Sequence, residues 1–277
     1  MGIPNWFVVL ALFVFGLIFG SFGNVVIWRL PRGESLSQPP SHCPGCGARI
    51  RWYDNVPLVS WLALRGRCRS CGSRISPRYP LVELLGGVLW AAAGWQFGLT
   101  AQLPAAMIFY YLLLLLAFID LDTQRLPNSL VGLLAVCGLA GAVFSQVTGI
   151  ASVPLASAGS GLLSQPLASA FVGAVASAGL ALVIALAYQR VRKTEGFGMG
   201  DVKLLAAIGI FLGPFGLMVF FLGSAMGAIW GLVAARSTGR SMRAAFPFGP
   251  FLAIAAVLVT LGGPAVWTWY VTLVTGR

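Results

Sequence analysis

Long apolar runs alternate with short polar segments along most of the chain. An α-helix rises about 1.5 Å per residue, so a run of about 20 residues can cross the roughly 30 Å hydrocarbon core of a bilayer. The candidate spans are residues 6–28, 81–97, 103–119, 129–148, 167–188, 202–213, 215–235 and 251–270. The pattern predicts an all-α polytopic membrane protein with about eight transmembrane helices.

The sixth and seventh runs are the least clearly separated, because only Gly213 and Pro214 lie between them. One long tilted helix there, with seven spans in total, is the alternative. Composition supports a membrane protein in either case: 58% of residues are hydrophobic, 9% are charged and the mean hydropathy is +0.88. Soluble domains do not reach these values.

Charge placement favours eight spans, since basic residues accumulate in short cytoplasmic loops. With the N-terminus outside, 17 of the 18 Lys and Arg residues fall on one face, and only Arg277 lies opposite. Seven spans would instead leave Arg236, Arg240 and Arg243 outside. The net charge of +11 is thus explained by topology and by contact with anionic lipid headgroups. Nucleic acid is not an expected partner, because no basic fold motif accompanies the charge.

Residues 29–80 form a polar block rich in Arg, Gly, Pro and Ser. We predict three parts: a first transmembrane helix at 1–28, an inserted cytoplasmic domain at 29–80 and a transmembrane domain at 81–277. The first run lacks a basic start and a small-residue cleavage site, so we expect a retained anchor. Residues 149–166 are small and uncharged, which predicts a flexible external loop.

The inserted block contains two CxxC pairs, each followed by a glycine. Each pair places two thiolates on one tight turn, and two such turns complete the tetrahedral site of structural zinc. The predicted Zn²⁺ ligands are Cys43, Cys46, Cys68 and Cys71. Two disulfides or a redox CxxC are the alternatives. His42 could substitute as a ligand, but four thiolates suffice, so we expect it to be a solvated histidine of the turn. The lone Cys137 is expected to be a packing residue.

Two aspartates occur at ends of apolar runs, where a carboxylate near lipid is costly. Asp120 ends one run, and Asp201 closes the sequence EGFGMGD. Two spans separate them, so both reach the same membrane face. Gly198 and Gly200 allow close backbone approach. The alternative is that each aspartate is an interfacial acid paired with a nearby Arg125 or Lys203.

Two neighbouring carboxyls cannot both ionise cheaply, so one would hold a proton while the other activates water. Asp201 opens a helix, whose positive end favours a carboxylate, whereas Asp120 closes one. We therefore predict that Asp201 is the base. Asp122 is expected to be a supporting group, and Glu83 to be either the partner of an arginine or a substrate contact.

In four features taken together, the chain resembles the type IV prepilin peptidases, which are bifunctional leader peptidases and N-methyltransferases. They are the GxGD motif at 198–201 followed by VKL, the aspartate seven residues before Pro127, the twin CxxC pairs and the stretch WLALRGRCRSCGSRISPRYPLVELLGG at 61–87. The resemblance runs from about Gly20 to Pro250.

The resemblance implies an eight-helix inner-membrane aspartic protease whose site lies at the cytoplasmic face. Such enzymes cut prepilins or pseudopilins after a glycine, remove a short basic leader and methylate the new amino terminus with S-adenosylmethionine. Asp120 and Asp201 match the family's catalytic pair, and Gly198, Gly200 and Lys203 belong to the same motif region.

Two positions depart from the family pattern. Asn128 stands where the family often has Asp, and Arg67 stands where Lys is common. Gly66 and Arg67 are the candidates for methyl transfer, and shaping the second cysteine turn is their alternative role. Two other functions remain open: an intramembrane aspartic protease of another substrate without methyl transfer, and a noncatalytic membrane scaffold.

Overall fold

The fold was determined from a computed structural model, which describes residues 4–153, 161–192, 198–238 and 247–275. Within these ranges the chain is helical and has no β-strand, which confirms the predicted fold class. One short helix, α2 (Val59–Ala63), lies in the inserted segment. The long helices are α1 (Asn5–Arg29), α3 (Arg78–Phe97), α4 (Gln102–Thr123), α5 (Asn128–Thr148), α6 (Pro166–Arg192), α7 (Met199–Leu212), α8 (Gly216–Thr238) and α9 (Gly249–Thr275).

Several of these helices are long and apolar enough to cross a membrane. Five segments of the described chain meet a length and hydropathy criterion: Asn5–Arg32, Gln102–Thr123, Asn128–Thr148, Pro166–Val191 and Met199–Arg236. Their number and apolar character are those of a multi-pass membrane protein.

The segment from 199 to 236 contains two helices rather than one. Gly213 adopts φ +57°, a conformation that L side chains rarely take. The backbone also folds back, because a Cβ on Gly216 would lie only 3.0 Å from the Cα of Gly209. Seven residues of continuous helix would separate these positions by about 10 Å, so the single-helix alternative is wrong.

The first compact unit spans residues 1–99 and is built on the packing of α1 against α3. Small residues allow the two backbones to touch. A Cβ on Gly16 would lie 2.4 Å from the carbonyl oxygen of Gly86, and one on Gly20 would lie 2.7 Å from the Cα of Glu83. Glycines spaced by four residues allow such contacts between membrane helices.

The second compact unit spans residues 100–277, and α6 and α7 make its closest helix contact. A Cβ on Gly173 would lie 2.3 Å from the carbonyl oxygen of Gly209. The buried hydroxyl of Ser177 donates across the same interface to the Leu205 carbonyl at 3.0 Å. This contact fixes α7, which carries Asp201, against its neighbour.

The connection after α5 begins with packed residues rather than a free loop. Ser152 donates to the Gly141 carbonyl at 2.9 Å, its Oγ lies 2.7 Å from that of Ser145, and Val153 is only 2% exposed. Residues 154–160 of the predicted flexible loop lie outside the described residues.

The two compact units divide the chain differently from the three predicted parts. The predicted boundary at residue 80 falls inside the first unit, because α3 packs against α1 on the far side of the inserted segment. The three-part division stays a prediction about domain organisation, and the inserted segment lies in the same compact unit as α1 and α3.

Candidate active site and metal centre

Asp120 and Asp201 line one cleft in the second unit. Asp120 lies in the last turn of α4 and Asp201 in the first turn of α7. The cleft has a volume of about 360 Å³ and is lined by Asp120, Gln124, Arg125, Leu126, Asn128, Gly198, Met199, Gly200, Asp201 and Lys203. The structure thus brings together the two aspartates that were paired from the sequence, and their catalytic role stays a prediction.

Asp120 forms a hydrogen bond with the start of α9, a contact that was not predicted from the sequence. Its carboxylate is buried, with 5% of the residue exposed, and its Oδ2 accepts a hydrogen bond from the Gly249 amide at 2.9 Å. Gly249 is the first residue of α9, so its amide has no partner within that helix. Asp120 therefore caps α9 from another helix, and it faces the positive end of the α9 dipole.

Asp201 is fitted closely into the GxGD turn. A Cβ on Gly198 would lie 2.9 Å from the Oδ2 of Asp201, so a larger residue would push the carboxylate away. Gly200 has a different neighbour, because its own Cβ would lie 3.3 Å from the Cβ of Leu126. The small size of Gly200 thus allows the loop after α4 to approach the start of α7, and Gly198 leaves room for the Asp201 carboxylate.

Of the predicted supporting residues, Gly198, Gly200 and Lys203 line the cleft. Lys203 Nζ donates to Oδ1 of Asn128 at 3.0 Å and so connects α7 with the first residue of α5. Neither Lys203 nor Arg125 forms an ion pair in the described ranges, so the predicted alternative of simple interfacial pairing has no support there. Asp122 is exposed and is not among the lining residues.

Gly249 offers a direct test of how Asp120 is positioned. In Gly249→Ala, the added methyl group would lie 2.9 Å from Oδ2 and 3.2 Å from Cγ of Asp120. We expect at least about a tenfold loss of turnover, because a small displacement of a reacting group is costly. The matched control is Gly262→Ala on the same helix, where nothing lies within 4 Å of the new Cβ. Equal rates for the two variants would contradict the assigned role of Gly249.

The four predicted zinc ligands form one cluster in the inserted segment. All four Sγ atoms lie within 4.8 Å of one another, and none is in a disulfide. The Cys43 and Cys71 sulfurs are 3.9 Å apart. A tetrahedral site with Zn–S bonds of about 2.3 Å requires sulfurs roughly 3.8 Å apart, so this donor set fits zinc. His42 is not in the cluster, and its Nδ1 lies 3.2 Å from the Pro40 carbonyl oxygen.

The two cysteine turns have the same backbone design. In the first, Cys43 N donates to Ala48 O at 2.9 Å and Gly47 N to Cys43 O at 2.8 Å. In the second, the corresponding bonds are Cys68 N to Ser73 O at 2.8 Å and Gly72 N to Cys68 O at 2.9 Å. Gly47 and Gly72 adopt φ +70° and +71°, which explains the glycine after each pair.

Hydrogen bonds favour the thiolate form of two of the four cysteines, Cys43 and Cys71, whereas hydrogen bonding to Cys71 raises the pKa of Cys46. Hydrogen bonding to Ser73 lowers the pKa values of Cys43 and Cys71 below the ordinary thiol value. Deprotonated thiols are the form that binds a metal. Beside them, Arg69 donates to both carboxylate oxygens of Asp54 at 2.7 to 3.0 Å, and these bonds lower the pKa of the Asp54 carboxyl.

Gly66 and Arg67, the methyl-transfer candidates, form part of the second cysteine turn. Gly66 adopts φ +65°, and a Cβ there would lie 2.9 Å from the Trp61 ring. The Trp61 indole donates to the Ile75 carbonyl at 3.2 Å, and Ile75 N donates back to Gly66 O at 2.7 Å. Arg67 pairs with Arg74 in an isolated antiparallel bridge. These contacts support the structural alternative, and a role in methyl transfer stays a prediction.

We expect Gly66→Ala to destabilise the inserted segment by two separate effects. The positive φ costs about 1 kcal/mol, and the overlap with Trp61 costs about 1–3 kcal/mol more. Gly33→Ala is the control, because Gly33 has φ +68° and nothing within 4 Å of the new Cβ. Thermal unfolding in detergent should rank the variants as wild type, Gly33→Ala and then Gly66→Ala. Equal midpoints for the two variants would show that the Trp61 contact is unimportant.

Glu83 binds neither an arginine nor any other charged group in the described ranges. Its Oε2 accepts a hydrogen bond from the Leu58 amide at 2.8 Å. Leu58 has φ 58° and ψ −49°, and Val59 N donates to Pro57 O at 2.6 Å, which together form a strained three-residue turn. Glu83 thus holds the turn that begins α2. A substrate contact at Glu83 stays a prediction.

Comparison with known proteins gives matches along most of the chain. Residues 14–97 match the bacterial peptidase A24 N-terminal domain, and residues 107–232 match the type IV leader peptidase family. A prepilin leader peptidase/N-methyltransferase of Neisseria gonorrhoeae is 36% identical over 94% of this chain and 93% of the relative. One of Legionella pneumophila is 37% identical over 96% and 95%, respectively. No solved structure matches the chain.

Proposed function

Because the chain belongs to the type IV leader peptidase family, we propose that it removes the leader from type IV prepilins or pseudopilins and then N-methylates the new amino terminus. It is a multi-pass inner-membrane enzyme, as its apolar helices and its family indicate. The observation that carries the peptidase proposal is the pair of carboxylates, from α4 and α7, that line one cleft.

The proposed cleavage uses Asp120 and Asp201 as a dyad that shares one proton. The ionised carboxylate takes a proton from a water molecule while the water oxygen attacks the carbonyl carbon of the scissile peptide. The protonated carboxyl gives its proton to the leaving nitrogen as the C–N bond breaks. One water is consumed, and the second carboxyl is left ionised while the first holds a proton.

Which aspartate begins as the base stays a prediction. The argument for Asp201 was that it opens a helix while Asp120 closes one. The Gly249 amide at the start of α9 gives Asp120 a positive helix end as well, so this argument no longer separates the two groups. A protonation-sensitive infrared measurement on each Asp-to-Asn variant would assign the proton.

We propose that Cys43, Cys46, Cys68 and Cys71 hold a structural Zn²⁺. The metal would hold the two cysteine turns together, and no reaction step involves it. S-adenosylmethionine would supply the methyl group, as the names of the relatives imply. In this chain Gly66 and Arg67 remain the candidate residues for that step.

We further propose that the N-terminus lies outside and that the zinc domain and the aspartates lie at the cytoplasmic face. The support for this orientation is the distribution of Lys and Arg, which places nearly all of them on one face. A basic leader that enters from the cytoplasm would then meet the aspartates without crossing the bilayer.

Mass spectrometry of a purified prepilin incubated with this protein in lipid tests both activities in one sample. With S-adenosylmethionine, we expect loss of the leader and gain of one methyl group. Without it, we expect the cleaved and unmethylated product. Cleavage that never leads to methylation would favour a peptidase alone, and an intact substrate beside folded protein would favour the scaffold alternative.

A further inference from the structure

Three large apolar side chains of the inserted segment are more than half exposed. Trp52, Val59 and Leu62 are 82%, 62% and 66% exposed, and all three lie outside the long helices. Val59 and Leu62 are three residues apart on α2, so they lie on one face of it. A group of exposed apolar residues on a small polar domain indicates a contact surface.

Hydrogen bonds connect α2 with the 3-10 turn that contains Trp52. The buried Ser60 of α2 donates to the Tyr53 carbonyl at 2.9 Å and accepts from the Val56 amide at 3.0 Å. Tyr53 belongs to the 3-10 turn Trp52–Asp54. Trp52 and α2 therefore keep a fixed relation to each other.

A hydrogen bond fixes the start of α2 beside one position of α3. Leu58, the residue before α2, donates to Glu83 at 2.8 Å. Glu83 is the sixth residue of α3, so it lies about 7 Å along the helix axis from Arg78. The 20 residues of α3 extend about 30 Å, which is the thickness of the hydrocarbon core. With α3 across the core, Arg78 lies at the boundary between headgroups and acyl chains, and the start of α2 lies about 7 Å inside it. Interfacial amphipathic helices bury their apolar face to about this depth.

Aromatic residues independently mark the membrane interface at this end of α1 and α3. Trp28 in the last turn of α1 is 54% exposed, and Tyr79 near the start of α3 is 45% exposed. Asn24 of α1 donates to the Tyr79 carbonyl at 3.1 Å, so these two helix ends are side by side. Trp and Tyr concentrate at membrane interfaces, and Glu83 lies deeper along α3 than Tyr79.

The charge of the inserted segment matches an anionic surface. Residues 29–78 include nine arginines and only two acidic residues, Glu34 and Asp54. Asp54 is already bound by Arg69. The cytoplasmic leaflet attracts such basic segments, so the apolar group and the surrounding charge fit the same partner.

We propose that α2 and Trp52 form an interfacial anchor, in which Trp52, Val59 and Leu62 enter the headgroup–acyl boundary of an anionic leaflet. The anchor fixes the cysteine cluster at the membrane surface, because Gly66 and Trp61 join α2 directly to the second cysteine turn. This inference concerns the first unit alone and does not depend on the proposed peptidase activity.

The test measures the depth of single positions in the full-length protein. A nitroxide is attached through a genetically encoded ketone residue at position 59 or 62, which leaves the native cysteines untouched. The protein is reconstituted in vesicles of phosphatidylethanolamine and phosphatidylglycerol. Collision with oxygen reports lipid exposure, and collision with a water-soluble nickel chelate reports exposure to water. Two reference labels replace Val136, exposed on the apolar helix α5, and Ser70, exposed in the second cysteine turn.

Labels at 59 and 62 are expected to fall between the two references, with more oxygen collisions and fewer nickel collisions than the label at position 70. Labels that match position 70 would overturn the proposal, because α2 would then face water. Low accessibility to both reagents would overturn it as well, since a protein surface would then cover the group.

Discussion

Replacing Asp201 with Asn is expected to abolish nearly all leader removal while the protein stays folded. Asn has almost the same size as Asp, but it neither accepts a proton from water nor donates an acidic one. Loss of a general acid or base lowers rates by about 10²–10⁴-fold. Asp120→Asn should have an equally large effect, because both carboxylates line the same cleft. Gel or mass analysis of a prepilin over a time course measures the rates.

The control for these variants is Glu34→Gln, the same chemical change at an exposed position of the inserted segment. It should cleave at the wild-type rate. Thermal unfolding of all three variants separates loss of catalysis from loss of folding. If either Asp variant retained wild-type cleavage with an unchanged unfolding midpoint, that aspartate would have no catalytic role.

Cys43→Ser is expected to empty the metal site and unfold the inserted segment. Cys43 is 6% exposed and its sulfur lies 3.9 Å from that of Cys71, so it is central to the cluster. Zinc binding in small domains contributes about 10–16 kcal/mol of apparent free energy, and the segment has little other core to replace it. Metal analysis should therefore find zinc in the wild type and none in the variant, and limited proteolysis should cut residues 33–77 in the variant only.

Cys137→Ser provides the matched control, since Cys137 lies alone in α5 and belongs to no metal cluster in the described ranges. It should keep its zinc and its resistance to protease. Chelation of the wild type should reproduce the Cys43→Ser pattern. A metal-free segment that resisted protease as well as the wild type would refute a structural role for zinc.

The features that could be predicted from the sequence are those that depend on residues close together in the chain. The spacing of Cys43, Cys46, Cys68 and Cys71 predicted the cluster, because each CxxC turn is formed locally and the following glycine supplies its positive φ. The break at Gly213 also has a local cause. The multi-pass membrane character followed from the length of the apolar runs, and five segments of the described chain are long and apolar enough to span a membrane.

The features that sequence analysis missed depend on contacts between distant residues. Gly249 lies 129 residues after Asp120, and only the packing of α4 against α9 brings its amide to that carboxylate. The sequence Gly249–Pro250 before the last apolar run indicated the start of a helix, where backbone amides lack partners. It did not indicate that a carboxylate from α4 would bind one of these amides. The bond between Leu58 and Glu83 was missed for the same reason.

The double variant Asp120→Asn/Asp201→Asn tests the central claim, that the two aspartates act as one catalytic unit. Its residual cleavage is compared with that of each single variant, with enzyme in excess of prepilin. A shared dyad predicts that the double variant is no slower than the slower single variant, because either change already removes the same proton transfer. Losses that multiply would show that the aspartates act independently, and would contradict the account.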